Sequence, residues 1–264
     1  MIVKAYLKLK KLIKSQGMLF AGSGLLTFIR LGSGLLLLKM VALIGGNSAV
    51  AVYGQAHNIV SMANGIVASG AGEGVVKMTA QNQGDSSRID IIKSASILLV
   101  SLCSLIVILM SSIFWVALID WASIGNPTSL QIIIYIFAAL VAAIGTLLIS
   151  LANGFQLLGE VVKTNIISIF TALIITGLFL LLTGDSVILI IPAIYLGLIG
   201  ICQIAILITK IRLPSRTFSL IDFNTIKHLG GFMLMAMGSF FMTPVALITI
   251  RGWLIQDYGA DSAG

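Results

Sequence analysis

Long apolar runs separated by short polar breaks set the pattern of this chain. The first run, 17–44 (GMLFAGSGLLTFIRLGSGLLLLKMVALI), would reach about 40 Å as a helix, enough to cross a bilayer. It ends at the turn signal Gly45-Gly46-Asn47. Further runs cover about 50–78, 91–119, 129–151, 161–182, 187–209 and 226–255. The breaks between them are polar or glycine-bearing: 80–93, 120–127, 153–160 (NGFQLLGE), 183–186 (TGDS) and the basic stretch 210–224. The pattern predicts an all-α, polytopic membrane bundle of about seven helices. Ahead of the first run, 1–16 (MIVKAYLKLKKLIKSQ) interleaves lysines with Leu and Ile, and reads as a short amphipathic helix on the membrane surface. The resulting division is a basic segment at 1–16, a six-helix lobe at 17–209, a basic linker at 210–225 and a further helix at 226–264.

Composition sharpens the class. The chain is 58% hydrophobic and 9% charged, with a mean hydropathy of +1.11, which no soluble domain of this length shows. The net charge of +7 would suggest nucleic acid if it were clustered on a soluble face. Instead, thirteen of the sixteen Lys and Arg fall on one predicted side: Lys4, Lys8, Lys10, Lys11, Lys14, Lys77, Arg88, Lys93, Lys163, Lys210, Arg212, Arg216 and Lys227. The opposite breaks carry Asp120, Asp185, Asp257 and Asp261 and no Lys or Arg. That asymmetry predicts a cytoplasmic N-terminus, and nucleic acid drops out as a partner. Trp115, Trp121 and Trp253 fall at the outer ends of their runs, as an interfacial aromatic belt requires. Cys103 and Cys202 have no metal-like spacing and read as packing residues.

Three cations remain inside the runs: Arg30, Lys39 and Arg251. A charge at bilayer depth costs at least ~2.5 kcal/mol on insertion scales, so it faces protein or water and serves a purpose. Two readings stand. Either Arg30 neutralises a buried partner while Lys39 snorkels, or the cations line a path for an anion. Arg30 and Lys39 are nine residues apart, about half a turn out of phase on a straight helix. His57, Glu73 and Lys77 are the other candidates: His57 as packing or cavity residue, Glu73 as a coupling carboxylate or the local partner of Lys77 four residues on. Gly70 and Gly74 stand at the spacing for close helix packing. Met233, Met235, Met237 and Met242 read as gap-filling core, and Pro244 as a kink. No catalytic constellation appears, so the sequence reads as a non-enzyme that calls for no cofactor and no metal. A faint repeat adds to this: Lys14-Ser-Gln-Gly and Lys227-His-Leu-Gly open two runs that end in GGNSAV and GADSAG. Repeated halves are a transporter signature, with the site between them.

The chain resembles the Wzx-type O-antigen and lipid III flippases, polysaccharide transporters of the multidrug/oligosaccharidyl-lipid/polysaccharide exporter superfamily. The matching stretches are Ile29-Arg30-Leu-Gly-Ser-Gly-Leu-Leu-Leu-Leu-Lys39, Gly70-Ala-Gly72 with Gly74-Val-Val-Lys77 and Ala80-Gln81, Asn153-Gly154-Phe155, and Pro244-Val-Ala with Arg251. The resemblance implies two pseudo-symmetric lobes opening alternately to the two sides of a bacterial inner membrane. A cationic cavity between them takes the sugar-pyrophosphate head of an undecaprenyl-linked oligosaccharide. This chain would supply the first six-helix lobe and the first helix of the second. Arg30, Lys39, Lys77 and Arg251 fall where the family carries a basic residue, and Arg30, Lys39 and Arg251 would line the anion site; His57 departs, since related members have arginine there. The bilayer, the lipid-linked oligosaccharide, a polysaccharide polymerase and a chain-length regulator are the implied partners. Competing expectations are a lipid II flippase or a multidrug exporter of the same superfamily, an integral-membrane polymerase or glycosyltransferase, and a structural scaffold. The deep cations argue against an exporter of organic cations, the turn-sized outer breaks against a polymerase, and Arg30 against a scaffold.

Overall fold

The computed structural model describes residues 2–122, 128–211 and 222–263. Every element among them is helical. Helix α1 (Ile2–Asn64) is cut at Gly46 into a first arm, 2–45, and a second arm, 47–64. A π-helical turn, Gly65–Ser69, carries the second arm into α2 (Gly70–Gln81). Then come α3 (Ser86–Ala122), α4 (Ser129–Gly154) and α5 (Leu158–Thr183). A 3-10 turn, Gly184–Ile190, leads into α6 (Ile191–Leu207), and α7 (Phe223–Tyr258) is followed by the short α8 (Ala260–Ala263). Among the described residues, five stretches are long and apolar enough to cross a membrane: Gly22–Gln81, Ser86–Ile113, Ser129–Gly154, Leu158–Leu207 and Phe223–Tyr258.

Glycine cuts the two longest stretches. A straight helix of 60 residues would extend about 90 Å, three times the hydrocarbon thickness. At Gly46 the backbone takes φ 72°, ψ −164°, and at Gly184 φ 72°, ψ −150°. Essentially only glycine adopts this conformation, because a Cβ would clash there. Gly259, which caps α7, has a closely similar backbone (φ 84°, ψ 162°). Across the first cut, Leu37 and Val41 of one arm join Ala49 and Tyr53 of the other in one buried cluster with Leu180, Ile188 and Ile191.

Small residues set the closest helix contact. An added Cβ at Gly200 of α6 would fall 2.7 Å from Cα of Ala142 on α4, and one at Gly197 3.3 Å from Cβ of Ala138. Without a hydrophobic drive between helices in lipid, such backbone approach is a principal source of packing energy. At α2 the same logic holds: an added Cβ at Gly74 would lie 3.1 Å from Leu229 and Phe232 of α7, and one at Gly72 3.0 Å from Ser150 of α4. Gly72 and Gly74 thus bring α2 against two neighbours, while the side of Gly70 lies outside the described residues.

One end of the bundle gathers the ion pairs found among the described residues. Arg88 pairs with Asp222 at 3.6 Å, Lys93 with Asp90 at 3.3 Å, and Lys210 with Glu160. Gln83 Nε2 donates to the Gly154 carbonyl at 2.8 Å, tying the α2–α3 turn to the α4–α5 turn. These are the breaks that the sequence assigned to the basic side.

Several expectations are corrected. The basic segment 2–16 is helical as expected, but helix continues past Gly17 rather than ending there. The sixth α-helix starts at Ile191, not near 187, because Gly184 turns the chain into a 3-10 segment and Pro192 suits a first helical turn. Among the methionines, Met233 is buried with its sulfur 3.7 Å from that of Cys103, whereas Met235 and Met242 are more than two-thirds exposed. Pro244, where a kink was expected, lies inside α7. Most of the predicted turn at 120–127 and of the basic linker at 210–225 lies outside the described residues, as do the side chains of 2–16.

Candidate functional site

The first arm presents two unlike faces. Ser33, Leu37 and Val41 are buried against the rest of the bundle. Leu31, Leu35, Lys39 and Leu43 recur every four residues, which places them in one row, and all are exposed. Arg30 stands one turn from Ser33 and is itself exposed. The arm has no break between 22 and 45, so Gly32 and Gly34 do not bring Lys39 round to Arg30. The two cations leave the helix on opposite sides.

Polar side chains stand near the Arg30 backbone. Ser33 Oγ lies 2.9 Å from the Arg30 carbonyl and 2.9 Å from the Tyr195 hydroxyl of α6. Tyr195 is close enough to feel the Arg30 charge and lies within electrostatic reach of Tyr53 on the second arm. The Tyr53 ring stacks on His57, with centroids 6.0 Å apart and planes 12° off parallel. His57 Nε2 in turn lies 3.4 Å from Ser61 Oγ, a long contact. Two separate polar pairs result, Ser33 with Tyr195 between the first arm and α6, and Tyr53 with His57 on the second arm.

Arg251 of α7 reaches the next residue of the second arm, Gly54. Its guanidinium lies against Gly54, occupying the space a Cβ would fill. One turn earlier in α7, the Ile248 carbonyl accepts a hydrogen bond from Gln55 Nε2 at 3.2 Å, and the Ile248 side chain is fully buried beside Ala56, Ile59 and Val60. Arg251 thus lies directly against the second arm at Gly54. Among the described residues, no carboxylate pairs with Arg30, Lys39 or Arg251.

Glu73 and Lys77 do not form the expected pair. Lys77 Nζ instead sits 5.0 Å from the centroid of the Phe232 ring on α7, and Glu73 is exposed on the first turn of α2. The helical spacing permits the pair, but the ring of a neighbouring helix competes for the ammonium. Both residues lie on α2, beyond the π-helical turn from Tyr53 and His57.

Sequence reasoning missed Ser33, Tyr53, Gly54 and Tyr195. Only Ser33 stood inside a stretch singled out in advance; the tyrosines and Gly54 acquire meaning only through partners far along the chain. Comparison with family models, with curated proteins and with solved structures found no match. The functional reading therefore rests on the geometry just described. Among the described residues, no group of three metal-ligating side chains gathers at a point.

Proposed function

We propose that this chain forms the first lobe, and the opening helix of a second, in a flippase. Its substrate would be an undecaprenyl-pyrophosphate-linked oligosaccharide, moved across the bacterial inner membrane by alternating access. The carrying observation is Arg30: an exposed cation in the middle of an apolar run, its charge within reach of Tyr195, with no carboxylate partner among the described residues. An intramembrane cation without a counter-charge is suited to a mobile anion that arrives and leaves. Arginine suits pyrophosphate because it stays charged and grips two oxygens at once. Arg251, seated against Gly54, would share the load, whereas Lys39, in the exposed apolar row, fits a snorkelling role. On this reading the cuts at Gly46 and Gly184 would divide the five apolar stretches into seven crossings, and the one-sided positive charge would set the N-terminus in the cytoplasm.

The test is binding of a fluorescent undecaprenyl-pyrophosphate oligosaccharide to the protein in nanodiscs. Arg30→Ala should lower affinity by about tenfold or more, the scale of losing one charge-assisted contact. Arg30→Lys should fall between it and wild type, since charge survives without the bidentate grip. Membrane abundance of both variants should stay near wild type. A well-folded Arg30→Ala protein that binds as tightly as wild type would refute the reading.

A further inference from the structure

We infer that Gly54 is a positioning residue for Arg251: its bare Cα is the seat in which the guanidinium lies. The inference deepens the anion-site reading above and rests on it for the part of the test that measures ligand. The geometry differs from that at Gly200 and Gly74. At Gly200 and Gly74 an added Cβ would strike neighbouring backbone or apolar side chains, so those glycines serve helix approach. At Gly54 the three nearest atoms to that position all belong to the Arg251 guanidinium, with Cζ at 2.7 Å and Nη2 at 3.3 Å. The missing side chain thus makes room for a charged group rather than for another helix.

Two neighbouring contacts fix where that group comes from. Gln55 Nε2 holds the Ile248 carbonyl, and the Ile248 side chain is buried in the cluster of the second arm, so the turn of α7 that bears Arg251 cannot slide away. Arg251 lies three residues beyond Ile248, on nearly the same face of α7. Its long side chain then has one flat surface to lie on, the backbone at Gly54. Gly54, His57 and Ser61 follow at helical spacing along one face of the second arm, so the seat aims the guanidinium at the polar side of that arm. A methyl group at 54 would lift the guanidinium off this surface and leave its donors without a fixed direction. Pre-organised direction is what separates a guanidinium that grips an anion from one that only attracts it.

A double-mutant cycle tests this on the protein in nanodiscs, with Gly54→Ala, Arg251→Ala and the double variant. The two readouts are thermal midpoint and affinity for undecaprenyl pyrophosphate. Each single variant should bind about tenfold more weakly, and the double variant no more weakly than Arg251→Ala alone, because the group that needed the space is gone. The thermal midpoint should behave the same way: Gly54→Ala lowers it in wild type and leaves it unchanged in the Arg251→Ala background. Gly200→Ala serves as the contrast and should lower the midpoint equally in both backgrounds. If Gly54→Ala costs as much without Arg251 as with it, Gly54 serves backbone approach and the inference is overturned. If wild type fails to bind undecaprenyl pyrophosphate, the anion-site reading falls, and the thermal cycle alone decides the seat. If Gly54→Ala cannot be purified, recovery of folded protein in the double variant supports the seat, and failure of both overturns it.

Discussion

At the scale of single residues, partners decide what a charged side chain does. Asp222 shows this at the start of α7. Its carboxylate accepts from Thr225 Oγ1 at 2.8 Å and from the Asn224 amide at 3.2 Å, with Arg88 at 3.6 Å. Those contacts, the Thr225 bond foremost, hold its carboxyl below the usual carboxylate range. A depressed folded-state pKa contributes stability above the unfolded value that is lost as pH falls through the folded one. Acidification below the ordinary aspartate range should therefore loosen the first turn of α7, read as faster amide exchange at 223–226. Asp222→Asn keeps a competent cap and should remove that pH dependence. Lys77 makes the contrasting case. Its sequence neighbour Glu73 was the expected partner, yet the ammonium faces Phe232, more than 150 residues along the chain. Local spacing could propose Glu73; nothing in the sequence could weigh it against a ring delivered by another helix. Arg30 is intermediate: its depth was legible from the length of the run, while Tyr195 was not, because a contact between the first arm and α6 leaves no periodic trace.

At the scale of elements, backbone conformation separates glycines that look alike in the sequence. Gly46 and Gly184 sit at positive φ, where any side chain is strained. Gly46→Ala and Gly184→Ala should each cost about 1–3 kcal/mol, read as a lower thermal midpoint in detergent. Gly24→Ala and Gly32→Ala, in the helical first arm with open space at the added Cβ, should be neutral or slightly stabilising. The apolar runs announced the helices well: the expected span at 129–151 became α4, and the turn signal Gly45-Gly46-Asn47 contains the observed cut. Hydropathy could not say that the same glycine run would be a break in one place and a packing face in another. That distinction depends on what lies opposite, as Gly72 and Gly74 show against α4 and α7. The repeated outer motifs reappear with a shift. Gly46 and Gly259 share a backbone conformation and are each followed by helix, although matching GGNSAV to GADSAG pairs Gly45 with Gly259.

At the scale of the whole molecule, the two ends differ in kind. One end carries the ion pairs Arg88–Asp222, Lys93–Asp90 and Lys210–Glu160 and the turns between α2, α3, α4 and α5. The other carries the cuts at Gly46 and Gly184, brought together where Ile188 approaches Gly45. If the charged end is cytoplasmic, Ser186→Cys in a background lacking Cys103 and Cys202 should react with an impermeant maleimide in intact cells, and Ser87→Cys should not. Reaction at position 87 alone would reverse the orientation. The cuts also have a practical consequence for anything that must recognise this end from solution. A protease threads several residues of extended chain through its cleft, and an antibody loop wants a protruding stretch to close around. At Gly46 helix resumes at the next residue, and at Gly184 a 3-10 turn takes over directly, so neither place offers a strand of slack. Digestion from that side would pass both hairpins over intact, and the bundle would look far harder to unfold than it is.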